Sequence, residues 1–121
     1  MTRRLGALAA AAVTAAAVLT GTLSAGSADA ASVYYYKTWR TDGTLAEQFT
    51  PTPGNVVGWI YGNGTTVGIV CQVWSEGTVD GLPYHVWDQL QNGSYVYDYY
   101  ITTPAPDGQF TTSIPRCQVG D

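Results

Sequence analysis

From Ser32 onward, clusters of Gly, Asn, Asp and Pro interrupt the chain about every eight to twelve residues, and no segment between them sustains a helical period. The stretches they separate are rich in Tyr, Val, Thr, Trp and Ile, the residues that fit a pleated, half-buried surface. An all-β fold of short strands follows. Val33–Trp39 reads as a first strand, ended by Asp42-Gly43, and Leu45–Phe49 as a second. Thr50-Pro51-Thr52-Pro53-Gly54-Asn55 is too rich in proline for a central strand and reads as a loop tip. Val56–Tyr61 and Thr66–Trp74 are the best strands, and Gly62-Asn63-Gly64 between them predicts a tight hairpin. Within Thr66–Trp74, the alternation of Val67, Ile69, Cys71 and Val73 predicts one inward face. Tyr84–Leu90 and Ser94–Tyr97 form a second hairpin through Gln91-Asn92-Gly93, followed by a short 3₁₀ turn at Asp98-Tyr99-Tyr100. The proline-rich remainder, Pro104–Asp121, is expected to wrap the surface irregularly.

The first thirty residues are of another kind. Met1-Thr2-Arg3-Arg4 precedes an Ala/Val/Leu run over Leu5–Val18, and Ala28 and Ala30 form an A-x-A site, the pattern of a secretory signal peptide over 1–30. Thr14, Thr20, Gly21 and Thr22 interrupt the run before the ~20 residues needed to span a bilayer. The expected product is a freely secreted or wall-associated chain beginning at Ala31, with no membrane insertion after cleavage. A chain this short sits near the limit at which burial offsets chain entropy, so a staple is expected. Cys71 and Cys117 are the only cysteines, and an oxidising compartment lets them pair, for a gain of roughly 3–4 kcal/mol.

Composition then removes several functions. The net charge of −4 becomes more negative once Arg3 and Arg4 are removed with Asp29. The remaining cations, Lys37, Arg40 and Arg116, are too few and scattered to grip nucleic acid or an anionic surface. Two cysteines and His85 lack zinc-ligand spacing, and the calcium-loop order is absent around Glu76 and Asp80, so no metal or cofactor is expected. Gly-x-Ser-x-Gly is also absent, and His85 is the one neutral-pH base. Pairs among Glu47, Glu76, Asp80, Asp88 and Asp98 carry no weight as an acid–base couple, since any soluble domain offers such pairs. The chain is expected not to be an enzyme.

In order and spacing, Val57-Gly58, Gly64-Thr65-Thr66-Val67, Val70-Cys71-Gln72-Val73, Gly77-Thr78-Val79-Asp80-Gly81, Trp87-Asp88-Gln89-Leu90, Gly93-Ser94-Tyr95-Val96, Asp98-Tyr99-Tyr100-Ile101 and Ile114-Pro115-Arg116-Cys117 resemble the small SH3-like (SH3b) domains of exported actinobacterial proteins. The resemblance implies a partly open β-barrel of five to six strands over 55–121, with a C-terminal tail pinned by the disulfide, preceded by an N-terminal strand and loop region over 31–54. Leu45-Ala46-Glu47-Gln48-Phe49 stands where such domains usually carry a Leu-x-Val-Arg-x-Gly-Pro strand. The resemblance further implies a monomeric binding protein for cell-wall peptide or peptidoglycan. Its groove would be formed by Trp87, Tyr95, Tyr99 and Tyr100, with Phe49 and Trp74 on bordering loops. Parity alone leaves Trp87 open: it shares a face with His85 and Gln89, while Val86 and Leu90 share the other with Asp88, and a bulge would exchange the two. A surplus of aromatics, Trp 4, Tyr 9 and Phe 2, fits surface recognition. The competing reading is a secreted protease inhibitor or another extracellular interaction factor, presenting Thr50–Gly54 or Pro104–Pro106 as a proline-stiffened loop.

Overall fold

The computed structural model describes residues 32–118, so the expected signal peptide and its cleavage site lie outside the described residues. The fold is all-β, as expected. Six strands, β1 (Tyr34–Lys37), β2 (Thr44–Gln48), β3 (Val56–Tyr61), β4 (Thr66–Trp74), β5 (Val86–Leu90) and β6 (Tyr95–Tyr97), form one antiparallel sheet in the order β1-β4-β5-β6-β2-β3. The sheet does not close. Among the described residues no helix is long and apolar enough to cross a membrane. The segment Val33–Trp39 supplies an edge of the sheet, and β1 and β2 share it with the strands of 55–121.

Local signals worked where a local contact decides the outcome. The β5–β6 hairpin turns at Gly93 (φ +90), with Leu90 N donating to Ser94 O at 2.8 Å. The 3₁₀ turn occupies Asp98–Tyr100. The proline loop closes β2 onto β3, through Phe49 N donating to Asn55 O and Asn55 N to Gln48 Oε1, each at 2.9 Å.

The expected β3–β4 hairpin does not form, because Gly62-Asn63-Gly64 bonds to the segment Thr38–Gly43 instead. Gly64 N donates to Thr38 O and Thr38 N to Thr65 O, while Thr38 Oγ1 donates to Gly62 O and accepts from Thr65 N. Asn63 Oδ1 accepts from both the N–H and the hydroxyl of Thr41. Thus β3 pairs with β2, and β4 crosses to β1.

Inward alternation along β4 also breaks. Val67 and Ile69 are buried, but the register shifts between Ile69 and Cys71, and beyond the shift Gln72 turns into the core while Cys71 is only partly buried. Cys71 and Cys117 nevertheless form the expected disulfide, with a Cα–Cα distance of 4.9 Å. The tail joins the sheet through a single parallel bridge, in which Gln72 N donates to Pro115 O (2.9 Å) and Cys117 N to Gln72 O (2.8 Å). The β4 edge that β1 covers as far as Ile69 is therefore taken over by the tail.

Parity does not govern burial along β5, since Val86, Trp87 and Asp88 are all buried, and the exposure suggested by Trp87 sharing a face with His85 and Gln89 is not found. As an inner strand of the sheet, β5 is covered on the Trp87 side by the 75–84 loop. Trp87 Nε1 donates to Gly77 O at 3.0 Å, and Tyr97 packs edge-on at 5.2 Å and donates its hydroxyl to Tyr84 O. A Cβ on Gly77 would lie 2.9 Å from Thr52 Cα, so this loop also seats the 50–55 loop.

Candidate functional site

The failed hairpin leaves a seam between β3 and the first half of β4. The bond from Gly62 N to Gly43 O, together with the pairing of Leu45 with Ile60, fixes which β3 residues bond to β2. Antiparallel ladders alternate, so the N–H and C=O of Trp59 and Tyr61 point away from β2, into the seam, where Tyr61 O already accepts from Thr65 Oγ1 at 2.7 Å. Across the gap, Thr38 N donates to Thr65 O on the β1 side, and Gln91 N bonds Gly68 O on the other. The same alternation turns the main chain of Thr66 toward the seam. Two strand edges thus face a common cleft of about 510 Å³, lined by Trp59, Tyr61, Thr66, Glu47, Gln91 and Asn92.

Its side chains suit a flat, polar-edged ligand. Trp59 and Tyr61 are 51% and 68% exposed, and both belong to the outward-facing set of β3. Opposite the interior of β3, Glu47 is held by Asn92 Nδ2 (2.9 Å) and Ser94 Oγ (2.7 Å). Gly58 leaves room for this carboxylate, which lies 3.2 Å from where a Cβ would stand.

Trp59 also borders a second depression of about 330 Å³, formed with Asp42, Asp80 and Tyr100. There the Tyr100 hydroxyl donates to Asp80 Oδ2, and burial, reinforced by that carboxylate, pushes the Tyr100 phenol well above its ordinary pKa. Arg40 lies between the rings of Trp39 (4.1 Å) and Tyr99 (4.4 Å) and ion-pairs with Asp107 at 2.9 Å. Arg40 and Asp80 both hold left-handed backbone (φ +65 and +56), a conformation other than glycine adopts at a cost.

The six aromatics expected to form one groove are dispersed. Trp87, Tyr95 and Tyr100 lie in the core, where burial raises the Tyr95 phenol as well. Tyr99 is partly buried, stacked on Tyr84 at 5.6 Å. Phe49 is 64% exposed beside Val57, in a shallow depression of its own with Asn92 and Ser94. Trp74 is half exposed at the end of β4 and stacks on His85 at 4.9 Å, with His85 Nδ1 at 2.8 Å from Ser75 O. Sequence reasoning misses Trp59, Tyr61 and Glu47 as one site because it pairs Val56–Tyr61 with Thr66–Trp74 in a tight hairpin, which closes the seam. The available signal was the alternation of Val57, Trp59 and Tyr61 with Gly58, which sets three large apolar side chains on one face. No protein-family model, no curated protein and no solved structure matches this chain.

Proposed function

We propose that this chain is an exported, non-catalytic binding module whose β3–β4 seam holds an extended peptide of the bacterial cell wall. One observation carries the reading: Trp59 and Tyr61 stand exposed on an unpaired strand edge that borders a cleft. A peptide entering in extended form gains main-chain hydrogen bonds from the edge, while flanking rings cover its side chains. The resemblance to SH3-like domains supports the cell wall as the source, and the Cys71–Cys117 bridge is compatible with an oxidising location.

The test is sedimentation with insoluble peptidoglycan at low and moderate salt, with heat-unfolded protein as control. Folded protein is expected in the pellet. Trp59→Ala should weaken retention about tenfold, the ~1.4 kcal/mol expected of a central aromatic contact, with the thermal midpoint unchanged. Trp74→Ala should bind as wild type. Full recovery of the folded protein in the supernatant would overturn the proposal.

A further inference from the structure

Three buried polar side chains meet where the tail crosses the sheet. Gln72 and its cross-strand partner Asp88 are 0% exposed, and Asp98, at the start of the 3₁₀ turn, is 5% exposed. Gln72 Nε2 donates to Asp88 Oδ1 at 2.7 Å and to Asp98 Oδ1 at 3.2 Å, which uses both amide hydrogens. Thr103 Oγ1 donates to Asp98 Oδ1 at 2.8 Å. Asp88 Oδ2 remains buried with no donor.

Two ionised carboxylates cannot share such a site at low cost. The groups facing the pair are Gln72 from β4, Thr103 from the start of the tail and, toward Asp98, the Asp107 carboxylate, whose own cation is Arg40. Among the described residues, no Lys, Arg or His bonds to either acid. A proton on Asp88 turns the unpartnered Oδ2 from an acceptor without a donor into a donor, gives Asp98 a further hydrogen bond and removes one of the two charges. Burial first, then the charge of Asp98, drives the Asp88 carboxyl well above the carboxylate range. Burial also raises Asp98, against hydrogen bonds from Asp88 and Thr103 that lower it. Asp98 Oδ1 accepts from both Gln72 and Thr103 whereas Asp88 Oδ2 accepts from nothing, which favours the proton on Asp88.

The same glutamine holds the tail. Its Oε1 accepts from Thr111 N at 2.8 Å, and its main chain bonds Pro115 and Cys117. We propose that one proton shared between Asp88 and Asp98 locks the segment Thr103–Cys117 onto β4, making the hold on this segment pH-dependent. The sign follows from linkage. An acid whose folded pKa lies above its unfolded value contributes fully below the unfolded value, about 3.9, and its contribution is lost as pH rises toward the folded value.

Amide hydrogen exchange on the oxidised protein tests this at Thr111 and Cys117, whose N–H groups bond to Gln72. Protection factors, corrected for intrinsic rates, should fall as pH rises above the unfolded value of about 3.9, with a limiting slope of about tenfold per pH unit where each opening releases one proton, and level off once the folded pair ionises. Asp88→Asn, which presents a permanent N–H donor to Asp98, should make protection independent of pH. A flat wild-type profile, or an unchanged slope in Asp88→Asn, would overturn the proposal. The ¹³C shift of the wild-type Asp88 carboxyl decides it without any variant: a resonance that titrates near pH 4 would also overturn it, and one still protonated at pH 6 supports it.

Discussion

Reduction of the Cys71–Cys117 bridge is expected to lower stability by about 4 kcal/mol, the chain-entropy value for a loop of 46 residues. For a domain of this size that corresponds to a thermal midpoint lower by about 15–30 °C. The effect is large because the bridge fastens a tail with no strand of its own. Among the described residues beyond Thr102, the chain meets the sheet at one parallel bridge, so without the cross-link the tail is held by its bonds to Gln72, by the Arg40–Asp107 ion pair and by the packing of Ile114. Calorimetry with and without reductant, and on the double variant Cys71→Ala/Cys117→Ala, measures this directly. An unchanged midpoint would mean that the tail contributes nothing to the cooperative unit.

Truncating Trp87 should cost about as much. A buried Trp→Ala change typically removes ~3–5 kcal/mol, and here it also withdraws the indole donor from Gly77 O and leaves Tyr97 without its edge-on partner. Urea unfolding of Trp87→Ala should show a much lower midpoint, while peptidoglycan retention per folded molecule stays as in wild type. A loss below ~1 kcal/mol together with lost binding would return Trp87 to the ligand site.

Trp87 illustrates what the sequence does and does not disclose. The hairpin at Gly93, the 3₁₀ turn at Asp98 and the pairing of the two cysteines are legible because each depends on a few neighbouring residues or on a choice without alternatives. The β3–β4 connection is not, since a Gly-Asn-Gly turn serves a hairpin or a crossing equally well, and hydrogen bonds to Thr38 and Thr41 decide between them. Parity fails at the β4 register shift, which hides both the inward Gln72 and the acid pair around it. The seam was illegible for the first of these reasons. Exposed Trp59 and Tyr61 acquire meaning only once β3 is known to lack a second partner.

Strand order also bears on how quickly the chain reaches this state. β2–β3 and β5–β6 are local hairpins, but uniting them requires Gln48 to find Tyr95, and β1 must wait for β4, as Tyr34 pairs with Ile69. Such high contact order places folding among the slower small domains, in milliseconds to seconds rather than microseconds. Cys117 follows all six strands in the chain, 46 residues beyond Cys71, so the bridge adds one more long-range contact to those pairings. If the tail docks after the sheet has paired, oxidation is expected to lengthen the lifetime of the native state more than it hastens its formation, which stopped-flow refolding and unfolding of the oxidised and reduced chains measures.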